Sequence, residues 1–259
     1  MTGGAGRLAG TRAAVTGAGG PMGRAIAARL LASGSLEGLA LTDISGTRLS
    51  ATVEALSAIY PAVRIIGLRG DVTVEGEAKA FAGTALDVLG GIDMLVNVVG
   101  GIRSQRLYTP FLDMSAEQWR ATFDLNLMGN FHLVQAFAPG MLERGEGRIV
   151  NLASIVFGAE AGQVDYAAAK AAVASMTRSL AAEFAPAITV NAVAPGLTRT
   201  SVTAAMPKAE GDKLVAAAFN RRMAEPEEIA EAVAFFCQDA NRFVTGEILA
   251  VSGGIHPHL

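Results

Sequence analysis

The feature of this sequence that most constrains its fold is a regular alternation of short apolar segments with longer segments of helical periodicity. The short segments have the uniform apolar character of strands that are buried on both faces of a parallel sheet. The longer segments place apolar residues three or four positions apart, as the buried face of a helix requires. We predict strands at 11–15, 38–43, 64–71, 92–100, 147–154, 188–196 and 246–254, and helices at 22–31, 46–58, 75–89, 116–142, 163–184 and 226–238.

Repeated strand–helix units predict an α/β fold in which helices cover both faces of a parallel sheet. No Pro/Ser-rich linker, low-complexity tract or clear repeat divides the 259 residues, so we expect a single domain over 1–259. The weakly patterned segment 197–222 follows a strand end, on the side where open α/β sheets bind ligands. We expect it to form a substrate lid, and an ordinary surface helical hairpin is the alternative.

A glycine-rich turn joins the first predicted strand to the first predicted helix in TGAGGPMGRAIA, residues 16–27. A strand, a glycine turn and a helix in this order form the phosphate cradle of dinucleotide-binding folds. We therefore place a nucleotide pyrophosphate at Gly17, Gly20 and Gly23. Pro21 suits the first helical position because its φ is fixed, but it removes one N–H that would otherwise face a phosphate.

Two acidic residues follow the next strands. Asp43 ends the second strand, and a carboxylate there can accept hydrogen bonds from both hydroxyls of an adenosine ribose while repelling a 2′-phosphate. Because no arginine is adjacent to Asp43 in the sequence, we expect NAD rather than NADP. Asp71 and Val72 close the third strand, where an acid can reach an adenine amino group. The alternatives are a helix N-cap for Asp43 and a turn residue for Asp71.

Composition excludes several function classes. The formal charge is −3 with no basic block, which argues against a nucleic-acid-binding protein. No uncharged apolar run is long enough to span a membrane and no apolar signal core precedes the first strand, so we expect a cytoplasmic protein. Cys237 lies in an apolar run and is expected to be a buried free thiol. His132 is expected in the core or at an interface, and the tail residues His256 and His258 do not make a convincing metal site, so we expect no metal.

Tyr166 and Lys170 in DYAAAK are four residues apart, so they lie on one face of a helix. A tyrosine with a pKa of about 10 is a poor acid or base at neutral pH, but a neighbouring ammonium favours the phenolate. The pair is therefore a candidate proton-transfer site. Taken alone, the pattern is more often an incidental surface pair, because Tyr and Lys four residues apart are common in helices.

Several motifs together make the sequence resemble the short-chain dehydrogenase/reductase family over essentially its whole length. TGAGGPMG resembles the family's TGxxxGxG turn, and NVVG (97–100) resembles its NNAG strand end. DLNLMG (124–129), NLASIVFGAEAGQVDYAAAK (151–170) and PGLTRT (195–200) are similar to its catalytic Asn, Ser…Tyr-xxx-Lys and Pro-Gly…Thr segments. The resemblance implies a Rossmann-like, doubly wound sheet of seven parallel strands, usually assembled as a homotetramer. It also implies hydride transfer between NAD(P) and an alcohol or ketone.

The resemblance also implies a role for each matching residue. Tyr166 would be the general acid/base, Lys170 would lower its pKa and bind the nicotinamide ribose, and Ser154 would polarise the substrate oxygen. Asn126 would hold a water in the proton path to Lys170. The implied cofactor bed adds Met22, Ile44, Asn97, Val98, Gly100, Tyr166, Lys170, Pro195, Gly196, Leu197, Thr198 and Thr200 to the glycine, proline and acidic positions above.

The sequence departs from the family pattern at three places. Pro21 replaces a glycine of the turn, Val98 and Val99 replace Asn and Ala, and Ser252 stands where Asp is common. The first change puts cofactor affinity in doubt, the second adds bulk beside the cofactor, and we expect the third to affect subunit packing.

The expected substrate wall, 102–109 with Val156, Phe157, Gln163 and 197–206, is mostly apolar and favours an uncharged, moderately hydrophobic alcohol or ketone. Arg103, Arg106 and Arg199 could instead bind a carboxylate or phosphate tail. We thus expect an NAD-dependent secondary-alcohol dehydrogenase or ketone reductase. The alternatives are an NADPH-dependent 3-oxoacyl-thioester reductase and a non-catalytic dinucleotide sensor.

Overall fold

The computed structural model describes residues 8, 10–102, 106–204 and 206–255, without the side chains of residues 201 and 202. Within these ranges, seven strands form one parallel sheet: β1 (Arg12–Thr16), β2 (Gly38–Asp43), β3 (Arg64–Arg69), β4 (Met94–Asn97), β5 (Gly147–Leu152), β6 (Ile188–Pro195) and β7 (Ile248–Val251). Their order is β3-β2-β1-β4-β5-β6-β7, which confirms the predicted doubly wound sheet.

Eight α-helices occur in the described ranges: α1 (Pro21–Leu31), α2 (Gly46–Ile59), α3 (Glu75–Leu89), α4 (Ala116–Arg144), α5 (Val164–Glu183), α6 (Ser201–Ala204), α7 (Lys208–Ala217) and α8 (Pro226–Cys237). The six predicted helices match α1–α5 and α8 to within two residues at either end. Sequence-encoded caps explain this agreement. Ser115 accepts the Gln118 N–H before α4, and Glu225 and Glu228 form a reciprocal capping box at α8.

Two hydrophobic cores lie on opposite faces of the sheet. One includes residues of α1, α2 and α8, and α1 packs directly on α8. The other includes residues of α3, α4 and α5, and α4 contacts both α3 and α5. The strands β1, β2, β4, β5 and β6 are almost wholly buried between these layers, which is why they are apolar along their whole length.

The neighbouring strands β1 and β4 continue into helices on opposite faces, because α1 belongs to one core and α4 to the other. This reversal leaves a crevice at the carboxyl ends of the strands, where open α/β sheets bind ligands. The carboxyl ends of β1 and β4 therefore border this crevice, with α1 on one side of it and α4 on the other.

Several sequence predictions concern residues away from the cleft. Cys237 is a buried free thiol as expected, and burial raises its pKa to about 12. His132 lies partly buried on α4, where its Nδ1 is 3.0 Å from the Val72 carbonyl oxygen. His256 and His258 lie outside the described residues. In the described part of the chain, each helix is too short or too polar to cross a membrane.

Candidate active site

The glycine turn after β1 is shaped by close backbone approaches. Gly17 has a φ of +63°, a left-handed conformation that glycine adopts without steric cost. A Cβ at Gly23 would lie 2.2 Å from the Gly17 carbonyl oxygen, so only glycine allows α1 to pack this closely against the turn. The Gly20 N–H donates to the Gly17 carbonyl oxygen at 3.0 Å. These contacts hold the start of α1 at the carboxyl end of β1.

Pro21 is the first residue of α1, as the sequence predicts, and it lies on the surface. The first N–H groups of a helix have no partner inside the helix. With Pro21 lacking an N–H, the first helical residues that can offer one to an anion are Met22 and Gly23. The turn thus retains an anion-binding helix start with one donor fewer.

A cleft of about 320 Å³ opens beside this turn. Most of its lining had been predicted from the sequence: Gly17, Gly20, Pro21, Met22, Gly23, Asp43, Ile44, Asp71, Val72, Val98, Gly100 and Thr200. Arg48, Gly70, Val99 and Leu125 complete the wall. At the glycine turn, a Cβ on Gly20 would lie 3.3 Å from the Gly17 carbonyl oxygen. This turn, the helix start and the acidic residue at the end of β2 fit a dinucleotide.

Asp43 is buried at the end of β2 and its carboxylate is already hydrogen-bonded. Oδ2 accepts the Gly19 N–H at 3.0 Å and Oδ1 accepts the Ser45 N–H at 2.8 Å. The guanidinium of Arg48 lies 3.4 Å from Oδ1. Arg48 is five residues from Asp43 in the chain, so the absence of an adjacent arginine, on which the expectation of NAD rests, does not exclude it. Ser45 is the N-cap of α2, so a cap followed by a first-turn arginine was the available signal.

Asp71 is the turn residue that the sequence offered as an alternative, and it also lies at the cleft. It lines the cleft, and its Oδ1 accepts the Thr73 N–H at 3.0 Å and the Thr73 hydroxyl at 2.7 Å, as a turn residue does. One carboxylate oxygen is therefore engaged in the local turn.

Ser154 follows the carboxyl end of β5, and Tyr166 and Lys170 lie in the first two turns of α5. The three residues meet there. The side chains of Ser154 and Tyr166 are hydrogen-bonded to each other. Lys170 Nζ lies 5.7 Å from the centre of the Tyr166 ring and donates to the Leu152 carbonyl oxygen at 2.7 Å. The three side chains form one group, as the motif spacing predicts.

Asn126 connects this group to the end of β4. Its Nδ2 donates to the Gly101 carbonyl oxygen at 2.7 Å, and its Oδ1 accepts the Gly101 N–H at 3.0 Å. A Cβ at Gly100 would lie 2.7 Å from Asn126 Oδ1 and 2.8 Å from Lys170 Nζ. Gly100 is therefore the point where the cleft wall, Asn126 and Lys170 meet.

Burial dominates the protonation of the pair. It lowers the pKa of Lys170 to about 7. It also raises the pKa of Tyr166, and the hydrogen bond with Ser154 opposes that rise. From the sequence, we expect Lys170 to lower the pKa of Tyr166. In the protein without nucleotide, burial and Ser154 set this pKa instead. The physical reason is that Nζ lies over the ring and is directed to the Leu152 carbonyl oxygen.

The remaining predicted cofactor residues, Asn97 and 195–198, are not among the residues that line this cleft. Asn97 is buried, and its Nδ2 donates to Asn151 Oδ1 at 2.9 Å. Pro195 ends β6, and a Cβ at Gly196 would lie 2.8 Å from the Ser252 Cα. The carbonyl oxygen of Leu197 accepts the Ala224 N–H at 2.9 Å, and Thr198 is bridged to the same residue. The contacts of residues 195–198 hold the segment that carries Thr200 to the cleft.

A cleft at a glycine-rich helix start, with a tyrosine, a lysine, a serine and an asparagine grouped beside Gly100 of its wall, is typical of dinucleotide-dependent oxidoreductases. A family model described as enoyl-(acyl carrier protein) reductase matches residues 17–256. The chain belongs to the short-chain dehydrogenase/reductase family, whose members use NAD(P), and it is an enzyme of the short-chain oxidoreductase type.

Three relatives illustrate the range of similar proteins. The chain is 36% identical to the BbsD subunit of (2S)-[(R)-hydroxy(phenyl)methyl]succinyl-CoA dehydrogenase from Thauera aromatica, over 93% of this chain and 95% of that protein. It is 35% identical to the 3-oxoacyl-[acyl-carrier-protein] reductase FabG of Aquifex aeolicus, over 96% and 98%. The structure matches a 7α-hydroxysteroid dehydrogenase complexed with NADH and 7-oxo glycochenodeoxycholic acid, with a TM-score of 0.89 and 32% identity over 98% and 97% of the two chains.

Proposed function

We propose that this enzyme is an NAD-dependent secondary-alcohol dehydrogenase or ketone reductase with Tyr166 as general acid/base. The observation that carries the proposal is the contact of Tyr166 with Ser154, beside Lys170 and Asn126, at the end of a cleft that also contains Asp43. A bound nicotinamide nucleotide supplies the hydride acceptor or donor. Asp43 and the start of α1 hold its adenosine and pyrophosphate ends.

The chain's own residues handle the proton. In alcohol oxidation the substrate O–H bond breaks and its proton passes to the Tyr166 oxygen, while the carbinol C–H bond supplies the hydride and a carbonyl forms. Ser154 has one hydroxyl hydrogen, which it donates to the phenolate before substrate binds and to the reacting oxygen when substrate is bound. Burial lowers the pKa of Lys170 to about 7, so Lys170 can exchange a proton near neutral pH. Asn126, which is held by Gly101, lies beside Lys170 and supports this proton transfer. Reduction follows the same steps in reverse.

An uncharged substrate is favoured by the ion pairs that the cations of the predicted lid already form. Arg199, one of the residues considered for an anionic tail, pairs with Glu225 at 3.0 Å. Lys208 pairs with Asp212 at 2.6 Å and Arg222 with Glu228 at 2.6 Å. These cations are already matched by carboxylates. Arg103 lies outside the described residues.

The segment 197–222, which contains α6 and α7, is proposed to cover the substrate. Glu210 of α7 forms a hydrogen bond with the Tyr108 phenol. Tyr108 in turn packs against the loop before α5, since a Cβ at Gly162 would lie 3.1 Å from its Cβ. The segment thereby contacts Tyr108, which packs against the loop that leads to Tyr166, an arrangement that supports a lid. Residue 205 lies outside the described part.

A homotetramer in the cytoplasm is the proposed working form. Phe131 on α4, Phe235 on α8 and Leu249 on β7 are large apolar side chains that remain exposed in the single chain. Light scattering on the purified protein measures the assembly directly. A monomer at micromolar concentration would contradict this part of the proposal.

The NADPH-dependent reduction of 3-oxoacyl thioesters is the second candidate. It is favoured by Arg48 beside Asp43, since a guanidinium there can pair with a 2′-phosphate, and by the similarity to FabG. Initial rates with NAD, NADP, NADH and NADPH against neutral and acidic secondary alcohols, ketones and 3-oxoacyl thioesters distinguish the two. Higher kcat/KM with NADPH and a thioester would replace the first proposal.

Replacement of Tyr166 by Phe tests the catalytic assignment itself. Tyr166→Phe retains the ring and removes the proton-transferring oxygen, so we expect turnover to fall by about 10²-fold or more while NAD binding persists. Fluorescence titration with NADH measures the binding. Turnover retained in Tyr166→Phe would show that Tyr166 is not the general acid/base. A wild-type protein that binds NAD but turns over none of the substrates would favour the non-catalytic sensor.

A further inference from the structure

Asp165 is a buried carboxylate that precedes Tyr166 in the first turn of α5 and has no part in the mechanism above. Its exposed fraction is 1%. Oδ2 accepts the Thr122 hydroxyl at 2.8 Å and the Gln118 side-chain amide at 3.0 Å. Oδ1 accepts the Tyr166 N–H at 2.9 Å. Asp165 therefore joins the backbone of Tyr166 to two side chains of α4.

The same stretch of α4 holds Asn126. The Thr122 carbonyl oxygen accepts Asn126 Nδ2 at 2.7 Å, and Asn126 contacts both backbone groups of Gly101. A continuous series of hydrogen bonds thus runs from the Tyr166 backbone through Asp165 and Thr122 to Asn126. It ends beside Gly100, where Lys170 also lies.

A simple helix-capping role does not account for this arrangement. An acidic residue in a first turn is favoured by the helix dipole even when it is exposed to solvent. Burying a carboxylate is unfavourable unless it is well hydrogen-bonded, and here the donors are neutral groups of another helix. Helix capping of α5 therefore does not explain why Asp165 accepts hydrogen bonds from α4.

We propose that Asp165 is a positioning residue that fixes α4 against α5, and so sets Asn126 relative to Tyr166 and Lys170. The inference rests on the proposed function of these three residues. The orientation of α4 about its axis determines where the Asn126 amide lies, and Asp165 holds that orientation from a position that touches neither substrate nor cofactor.

A matched pair of threonine variants tests the proposal. Thr122 and Thr177 are both fully buried and both are hydrogen-bonded through their hydroxyls, but Thr177 bonds to Asn151 and to the Val173 carbonyl oxygen further along α5. We express kcat per NADH-binding site, so that unfolded protein is not counted. Thr122→Val should lower this kcat about tenfold, because a hydrogen bond to a charged group is lost. Thr177→Val should change it by less than about twofold. Equal losses of kcat in the two variants would overturn the proposal.

Variants of Asp165 give a second, independent reading. Asp165→Asn retains an oxygen for the Tyr166 N–H, whereas Asp165→Ala retains none, so kcat should fall in that order with little change in the NADH Kd. In a double-mutant cycle, Asp165→Asn and Thr122→Val should be less than additive, and Asp165→Asn and Thr177→Val additive. Additivity in both cycles would contradict a shared positioning role.

Hydrogen exchange separates this test from the proposed function. Asp165→Asn should accelerate amide exchange at Gly101, which Asn126 holds, and Thr177→Val should not. If the wild-type protein turned over no substrate, the proposed function would fail and the exchange result would still decide the link between Asp165 and Asn126. Unchanged exchange at Gly101 would refute that link.

Discussion

At the scale of single residues, the cleft combines opposing electrostatic preferences. The Asp43 carboxylate repels a 2′-phosphate, whereas the Arg48 guanidinium 3.4 Å away attracts one. Asp43 is buried and held by two backbone N–H groups, while the Arg48 side chain is 60% exposed. The fixed charge should dominate, which favours NAD.

Removing that fixed charge should change the nucleotide preference. In Asp43→Ser we expect the ratio of kcat/KM for NAD over NADP to fall by at least about tenfold, because repulsion is lost and Arg48 remains. The double variant Asp43→Ser with Arg48→Ala should lose the gain for NADP. Steady-state rates with both nucleotides provide the measurement, and an unchanged ratio in the single variant would assign the choice to other residues.

Ser154 should set the pH at which Tyr166 works. Its hydrogen bond holds the pKa of Tyr166 below the value that burial alone would give. In Ser154→Ala this pKa rises, and since alcohol oxidation needs the deprotonated tyrosine, the ascending limb of kcat against pH should move to higher pH.

The control for this substitution is Ser179→Ala, whose hydroxyl bonds to the Ser175 carbonyl oxygen on the exposed side of α5. It should leave the pH profile in place. A Ser154→Ala profile that coincided with the wild-type profile would show that the serine does not tune the tyrosine.

At the scale of secondary-structure elements, the most demanding contact is that of α1 with the turn after β1. A methyl group at Gly23 would meet the Gly17 carbonyl oxygen at 2.2 Å, whereas one at Gly76 in α3 would meet nothing within 4 Å. Gly23→Ala should therefore lower the free energy of unfolding by about 1–3 kcal/mol, as overpacking does, and weaken NADH binding. Gly76→Ala should raise it by up to about 1 kcal/mol through helix propensity.

Urea unfolding of the two glycine variants checks this prediction. The substitution is chemically the same in both, so a difference in sign isolates the close approach of α1 to the turn. Equal effects on stability would show that α1 can shift away from the turn without loss.

The elements also show what the sequence could and could not predict. Helix boundaries were predictable because periodicity and local caps such as Ser115 agree. The strand predicted at 92–100 was too long, because Val98 and Val99 leave the ladder and donate their N–H groups to the Thr16 hydroxyl at 2.8 and 3.1 Å. Their apolar character serves the cleft wall, which periodicity alone does not distinguish from a strand.

Within the site, the sequence predicts the residues that belong to local motifs. It does not predict the residues whose roles depend on contacts between elements. The glycine turn and the Tyr166–Lys170 pair are each encoded in a few consecutive residues. Arg48 reaches Asp43 because α2 begins with a cap directly after β2, and Asp165 acquires its role because α4 packs on α5. The sequence does not state which side chains face one another across such packing.

At the scale of the whole molecule, burial of Lys170 makes stability depend on pH. Burial lowers its pKa in the folded protein to about 7, whereas in the unfolded chain it keeps the ordinary lysine pKa of about 10.4. Between these values the unfolded chain binds more protons than the folded one, so the contribution of Lys170 to stability rises with pH across this window. Below about pH 7 its unfavourable contribution is at its maximum and constant.

Comparison with Lys170→Met isolates this contribution. Without nucleotide, the difference in melting temperature, wild type minus variant, should increase from pH 7 towards pH 10. Calorimetric melts at several pH values in one ionic strength measure it. A constant difference would show that Lys170 is already hydrated or charged in the folded protein.

The turn after β1 is already braced before any nucleotide arrives, because the Gly19 N–H is held by Asp43 and the Gly20 N–H by the Gly17 carbonyl oxygen. Nucleotide capture thus requires little ordering of the backbone at its phosphate end, so the entropy of that ordering is spent during folding. Encounter should consequently be fast and weakly dependent on temperature, with affinity governed by how quickly the nucleotide leaves.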